Sequence, residues 1–176
     1  MSSPPLGIDA PLEQSYSGPV PRSPIQKSSD SSRRTSVRVV RFRSPGASLG
    51  LRASNINDLI HQLEQGFSFT ALQDFASNSG LSLSEITAIV GIHDRTLSRR
   101  KAANKLTTDE SERLLRLSTV FDRAVELFEG DTAGAVKWLT TPRRALENLS
   151  PLAYCRTGHG AREVENLIGR LEEGVF

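Results

Sequence analysis

The sequence predicts an all-α protein preceded by a disordered N-terminal tail, and three observations support this fold class. Residues 1–36 hold six of the nine prolines and ten serines, with too little apolar content to offset the entropy of folding. Between Asn55 and Pro142 there is no proline, and apolar residues recur every three or four positions, as in amphipathic helices. The 176-residue chain is 37% apolar, enough to form the core of one ordinary domain or two small ones.

The tail carries most of the excess positive charge. Residues 1–50 contain seven Lys or Arg against three acids, whereas the rest of the chain contains 15 against 17. Within the tail, "RRTSVRVVRFRSPG" sets three valines and Phe42 among five arginines. A short edge strand, a basic arm and a solvated linker all fit this pattern. We therefore assign residues 1–50 to a disordered, basic, Ser- and Pro-rich tail and leave its role open.

The remaining chain is predicted to form eight helices, two of which carry a recognisable start signal. Ser82 with Glu85, and Thr107 with Glu110, fit the Ser/Thr-x-x-Glu capping box, in which side chain and backbone satisfy each other's free donors. The helices are expected near residues 56–65, 69–78, 83–90, 94–103, 108–129, 132–140, 143–148 and 158–173.

The stretch "LSLSEITAIVGIHDRTLSRRK" has the pattern of a helix-turn-helix. Ile86 and Val90 share one helical face, and Gly91 permits a tight turn after them. Ile92 fills the corner of the turn, and Leu97 on the next helix faces back toward the first. Such packing holds the second helix so that its outer face can enter a major groove of DNA.

The outer face of this second helix is basic and polar, which suits contact with DNA. Arginine offers a fixed charge and a bidentate fork for guanine edges or phosphate, and hydroxyl groups can reach phosphate. An ordinary helical hairpin, with basic residues at the negative end of a helix dipole, is the alternative. Two departures from the usual pattern favour this alternative. Thr87 stands where such motifs usually carry alanine, and Arg100 stands where many carry a buried apolar residue. The residues expected to contact DNA are Arg95, Thr96, Ser98, Arg99, Arg100 and Lys101.

The segment after the helix-turn-helix is predicted to form a second helical domain. Leu114, Leu117 and Phe121 recur on one stripe of a long capped helix, which can anchor a small bundle. We therefore place the helix-turn-helix domain at residues 51–105 and the second domain at residues 106–176. Periodicity alone shows no more than this.

Several separated motifs in residues 81–176 resemble the Xre/MbcA/ParS family of antitoxins. The resemblance rests on "ESERLLRL", "AVKWLTTPRRAL", "SPLAY" and "GAREVENLIGRLEEGV", in that order. The stretch "SLSEITAIVGIHDRTLSRRKAANKLT" also resembles the Xre-type helix-turn-helix of this family. The resemblance implies an antitoxin with a small helical toxin-binding domain, paired with a RES-domain toxin that consumes NAD. It also implies repression of the antitoxin's own operon through the helix-turn-helix.

In this family the last helix and the chain terminus cover the NAD pocket of the toxin. The resemblance therefore implies that Val164, Ile168 and their apolar neighbours pack in the antitoxin's own core, while the outward face and the terminus meet the toxin. It also implies operator DNA as a partner, and a homodimer that forms a higher-order toxin-antitoxin complex. The residues expected to bind the toxin are Arg162, Glu163, Asn166, Arg170, Glu172, Glu173, Gly174, Val175 and Phe176.

Other functional classes find little support in the sequence. One cysteine, Cys155, and three scattered histidines exclude an internal disulfide and suggest no metal site. No Ser/His/acid or paired-carboxylate arrangement is present, so we expect no catalytic residue, no cofactor and no enzyme activity. No apolar run approaches bilayer length and no signal peptide is evident, so we expect a cytoplasmic protein without membrane contact.

Three notable residue types are expected to be structural. We interpret Trp138 and Cys155 as packing residues. Gly158 and Gly160 are interpreted as loop and helix-start positions, because a phosphate-binding loop would need a following Lys-Ser or Lys-Thr.

The alternative function is a stand-alone helix-turn-helix transcription regulator or a partition-type DNA-binding protein. The basic tail favours this alternative, since such arms add phosphate contacts.

Overall fold

The computed structural model describes residues 46–174, and this part of the chain is all-helical, with no β-strand. The predicted fold class is confirmed. Most of the predicted tail, together with Val175 and Phe176, lies outside the described residues. The helices are α1 (Ile56–Gln65), α2 (Phe69–Ser79), α3 (Leu83–Val90), α4 (Asp94–Ala103), α5 (Thr108–Leu127), α6 (Thr132–Thr140), α7 (Pro151–Tyr154) and α8 (Gly158–Glu172).

Both predicted capping boxes are present. At the start of α3, the Glu85 amide donates to Ser82 Oγ at 3.2 Å, and the Ser82 amide donates to Glu85 Oε2 at 2.8 Å. At the start of α5, the Glu110 amide donates to Thr107 Oγ1 at 3.3 Å, and the Thr107 amide donates to Glu110 Oε2 at 2.9 Å. The start signals read from the sequence are therefore confirmed.

The segment between α6 and α8 differs from the prediction. The helix predicted at residues 143–148 is only a 3-10 turn, Arg144–Leu146, because Glu147 and Asn148 adopt positive φ angles of 56° and 62° that stop a helix. The short helix α7 was not predicted, although Ser150 caps it and a proline occupies its first turn.

The described fold begins inside the segment predicted as tail. Ala47–Leu49 form a 3-10 turn between two glycines in the left-handed conformation, and Ser48 and Leu49 are fully buried. This turn packs against α2 and α5, and Asn78 Nδ2 donates to the Ser48 carbonyl at 2.9 Å. Residues 46–50 are thus part of the helical fold.

Helix α5 joins the two halves of the described structure. It packs against α1, α2 and α3, and also against α6 and α8. The predicted stripe is confirmed, since Leu114, Leu117 and Phe121 are buried, and the Phe121 ring meets Phe75 of α2 edge-on at 5.5 Å between centroids. The buried side chains from both sides of α5 form one continuous core.

Candidate functional site

The turn between α3 and α4 has the packing predicted for a helix-turn-helix. Ile86 and Val90 are fully buried, and Ile92 is 4% exposed. Gly91 adopts a φ of 78°, so the chain turns sharply after α3 without steric strain. Thr87 is also buried, and its hydroxyl donates to the Ser84 carbonyl at 3.1 Å, so the backbone of α3 satisfies this polar group.

The end of α3 is tied to α5 across the turn. Arg113 Nη1 of α5 donates to the Val90 carbonyl at 3.1 Å, which satisfies one of the free acceptors at a helix end. A side chain at Gly91 would come within 3.1 Å of the same Arg113 nitrogen. The geometry of the turn therefore depends on α5 as well as on α3 and α4.

Helix α4 presents most of the predicted DNA-contacting residues to solvent. Leu97 faces the core and is half-buried. At about 100° per residue, Arg95 and Arg99 lie roughly 160° around the helix from Leu97. The predicted residues Arg95, Ser98, Arg99 and Lys101 are exposed, and Thr96 is half-buried. Their contact with DNA stays a prediction.

Arg100 differs from the other five residues predicted to contact DNA. Its Nε donates to Glu110 Oε2 at 2.7 Å and to Oε1 at 3.1 Å, and the two side chains are 18% and 9% exposed. Burial alone would raise the pKa of Glu110, but the hydrogen bonds from Arg100 and from the Thr107 amide outweigh it, so the pKa lies below its ordinary value. The Arg100 side chain is therefore engaged with α5.

Helix α8 is amphipathic, with its apolar side packed against α5. Val164 and Ile168 are fully buried, and Leu167 and Leu171 are half-buried. These four residues lie where the sequence predicted the inner face of the helix. The outward residues predicted to meet the toxin, Arg162, Glu163, Asn166 and Arg170, are all exposed.

The C-terminal end of α8 is only partly free. Glu172 Oε2 accepts a hydrogen bond from Arg123 Nη2 of α5 at 3.4 Å, and the two side chains are 39% and 37% exposed. Glu173 and Gly174 are exposed, and Gly174 has a φ of 68°. The last two predicted toxin-binding residues, Val175 and Phe176, lie outside the described residues.

Gly158 and Gly160 lie in the first turn of α8, the helix-start position that the sequence predicted. The Gly160 amide donates to Thr157 Oγ1 at 3.0 Å, which caps the helix. A Cβ on Gly160 would overlap the Tyr154 carbonyl oxygen, so α7 and α8 can approach only with glycine here. Beside this contact lies a groove of about 500 Å³, whose lining includes Leu149 and Glu163.

Trp138 and Cys155 are packing residues, as predicted. Trp138 is 7% exposed, its ring lies 6.5 Å from that of Phe128, and the Arg143 guanidinium sits 5.5 Å from its ring centroid. Burial and, to a smaller extent, the charge of Glu165 together raise the pKa of Cys155 to about 12, against an opposing effect of Arg116. The thiol is therefore protonated at neutral pH and is a poor nucleophile.

The described residues also bear on metal binding and membrane insertion. Within residues 46–174, no group of three His, Cys, Asp or Glu side chains is arranged to hold a metal ion. No helix in this range has both the length and the apolar character needed to cross a bilayer.

Comparison with known proteins identifies the family. Residues 58–118 match the family model of the antitoxin Xre-like helix-turn-helix domain, and residues 123–174 match that of the antitoxin Xre/MbcA/ParS C-terminal toxin-binding domain. Antitoxin Xre of Yersinia enterocolitica is 40% identical over 129 residues, covering 73% of this chain and 87% of that protein. The chain belongs to the antitoxin Xre family.

Two other Xre antitoxins are similar. That of Photorhabdus laumondii is 39% identical over 114 residues, covering 64% of this chain and 77% of that protein. That of Pseudomonas putida is 31% identical over 114 residues, covering 64% of this chain and 70% of that protein. The resemblance inferred from the sequence motifs is thereby confirmed.

The two matched regions of this Xre family member meet on one helix. The helix-turn-helix match ends at residue 118 and the toxin-binding match begins at residue 123, and both positions lie within α5. The predicted DNA-contacting residues of α4 fall in the first region, and the described outward residues of α8 fall in the second. The domain boundary predicted between residues 105 and 106 stays a prediction.

Proposed function

We propose that this protein is the antitoxin of a type II toxin-antitoxin pair, and that it neutralises a RES-domain toxin that consumes NAD. The observation that carries the proposal is the match of residues 123–174 to an antitoxin toxin-binding domain. In this proposal α8 and the chain terminus cover the active site of the toxin. The chain itself has no catalytic role, and the isolated protein is expected not to turn over NAD.

The structure of α8 supports a role in partner binding. Its apolar side is used by the protein's own core, so the side left for a partner is charged and polar. Arg162, Glu163 and Arg170 place both signs of charge on that outward side, which favours recognition by charge complementarity. Near the terminus, the acidic Glu172 and Glu173 would compete with the charged dinucleotide for polar groups of the toxin.

The test of neutralisation is growth and intracellular NAD in cells that express the adjacent gene with and without this chain. We expect NAD to collapse with the adjacent gene alone and to recover when this protein is present. Arg170→Glu should abolish protection, because it reverses a charge on the outward side of α8. Arg52→Glu, an exposed site outside α8, is the matched control and should protect fully. If the adjacent gene product is toxic and the wild-type chain does not restore growth and NAD, the proposal is contradicted.

A truncation tests the role of the terminus separately from the rest of α8. Residues 174–176 lie beyond α8, which ends at Glu172. If the terminus covers the active site of the toxin, removing these three residues should abolish neutralisation. Circular dichroism must show that the truncated chain keeps its helices. Full protection by a folded truncated chain would limit the interface to the outward side of α8.

We also propose that α4 binds operator DNA as part of a homodimer and represses the protein's own operon. The exposed Arg95 and Arg99 side chains support this, because they lie on the side of α4 opposite the core. Replacing either with alanine should weaken operator binding by ~1–3 kcal/mol and leave neutralisation intact. Fluorescence anisotropy with the operator measures the first, and growth the second. Unchanged operator binding in both variants would contradict this part of the proposal.

A stand-alone DNA-binding regulator is the second candidate, and the charge of the tail favours it. Seven basic residues against three acids in residues 1–50 would add phosphate contacts. Deleting residues 1–45 should then lower operator affinity and reduce the salt dependence of binding. A harmless adjacent gene product, together with loss of binding on this deletion, would favour the regulator over the antitoxin.

A further inference from the structure

Arg100 and Glu110 form a partly buried ion pair that links α4 to α5. The Arg100 Nε donates to both carboxylate oxygens, at 2.7 and 3.1 Å. The same carboxylate accepts the Thr107 amide and so completes the capping box of α5. The carboxylate is therefore held in place by α5, and it offers a fixed anchor for the arginine of α4.

Helix α4 has few other attachments along its length. None of its ten described residues is fully buried, and Leu97 is its one hydrophobic residue packed against the core. The chain after α4 is fixed by the Leu106 amide, which donates to the Phe67 carbonyl at 2.9 Å, and by the buried Leu106 side chain. The chain is thus anchored after α4 by Leu106 and before it by the buried Ile92, and along the helix Leu97 and Arg100 make the inward contacts that resist rotation about its own axis.

The two inward residues determine where the outward arginines point. Leu97 and Arg100 are three residues apart, so they lie about 60° from each other on one side of the helix. Arg95 and Arg99 lie roughly 130–170° from the middle of that side. A rotation of α4 after loss of the ion pair would carry both arginines away from the groove of the DNA.

We propose that Arg100 is a positioning residue for DNA recognition, which acts through Glu110 to hold α4 in the rotation that presents Arg95 and Arg99. This inference rests on the proposed DNA-binding function of α4. In it, Arg100 supports the DNA-contacting side without being part of it.

Glu110→Gln separates this role from direct contact with DNA, because the two roles predict opposite signs. If Arg100 contacted phosphate, the substitution would free it for DNA and would also remove a repulsive charge, so binding would become tighter. If Arg100 positions α4, the substitution weakens its anchor and binding becomes weaker. The sign of the change in operator affinity therefore decides between the roles.

The experiment compares operator binding of Glu110→Gln with that of Glu112→Gln by fluorescence anisotropy. Glu112 is exposed on the same helix, so its replacement removes the same charge close to the same place without touching Arg100. We expect Glu110→Gln to bind the operator about tenfold more weakly than wild type, and Glu112→Gln to bind at least as tightly as wild type. Equal affinity of the two variants would overturn the inference.

Arg100→Met is the second arm, because it leaves the capping box of α5 unchanged. We expect a similar loss of about tenfold, with an unchanged slope of log affinity against log salt. A slope smaller by about one would show a lost phosphate contact and overturn the inference. In the double variant with Glu110→Gln the losses should not add, since the two residues act as one unit. Additive losses would also overturn it.

Two further measurements separate failure of this inference from failure of the proposed function. Arg100→Met and Glu110→Gln should still neutralise the toxin, which shows that the fold is intact. If Arg95→Ala and Arg99→Ala bind the operator weakly but Glu110→Gln binds it tightly, the positioning role of Arg100 is contradicted and the DNA-binding function of α4 is not. Unchanged binding by the two alanine variants contradicts the DNA-binding side of α4 itself.

Discussion

Replacing Asp122 with asparagine should stabilise the protein at neutral and alkaline pH. Asp122 lies on α5 and is 7% exposed, and within residues 46–174 its Oδ1 has no hydrogen-bond partner. Burial raises its pKa to about 7, with Ser48 opposing the rise and the charge of Glu126 adding to it. The folded protein therefore resists ionisation of this carboxyl group, whereas asparagine has no charge to bury.

The sign and size of the effect follow from linkage. The ordinary pKa is 3.8, so between about pH 4 and 7 the unfolded chain has lost this proton while the folded chain still holds it. The free energy of unfolding therefore falls as the pH rises through this range and becomes level above about 7. The shift is about 3 units at ~1.4 kcal/mol each, so the ionised carboxyl costs up to ~4 kcal/mol at neutral pH and above.

Urea unfolding followed by circular dichroism at several pH values tests this. At about pH 8, Asp122→Asn should be ~2–4 kcal/mol more stable than wild type, and the difference should shrink toward about pH 4.5. Asp74→Asn, an exposed carboxyl on α2, is the control and should change stability little at any pH. A stabilisation independent of pH, or a variant less stable than wild type at about pH 8, would refute the reasoning.

Three further substitutions and reactions test the packing. Gly160→Ala should lower stability by ~2–4 kcal/mol, because the added Cβ overlaps the Tyr154 carbonyl. Gly169→Ala is the control, since the nearest atom to its added Cβ is 4.0 Å away, and equal thermal midpoints of the two variants would contradict the prediction. Trp138→Ala should cost ~3–5 kcal/mol in urea unfolding, and a loss below about 1 would show that the ring is not a core residue. The Cys155 thiol, whose pKa burial raises to about 12, should react with a disulfide reagent only after denaturation, and fast labelling of folded protein would be inconsistent with its burial.

Helix starts could be predicted from the sequence because capping is local. The Ser82–Glu85 and Thr107–Glu110 pairs lie three residues apart, so their geometry depends on little outside one helical turn. The buried sides of α5 and α8 could also be predicted from the sequence, because burial follows the helical period. The packing of the helix-turn-helix corner could be predicted for the same reason.

Contacts between distant segments could not be predicted in this way. The bond from Arg100 to Glu110 crosses a turn and joins residues ten positions apart, and no local pattern in the sequence pairs them. Likewise, nothing near Asp122 in the sequence indicates that Ser48 and Leu49 cover that part of the core. Helix α7 carried a usable signal in Ser150 and Pro151, but at four residues it is too short for periodicity to reveal.

The shared position of α5 limits how parts of this protein can be exchanged with those of a relative. A chimera joined in the loop before α5 would keep the contacts of α5 with α6 and α8 but replace its partners in α1, α2 and α3. Buried side chains from two parents would then face each other without having been selected together. A hybrid with its junction inside the helix, near residues 118–123, must therefore take Phe121 and Phe75 from one parent, because the two rings are in contact between α5 and α2.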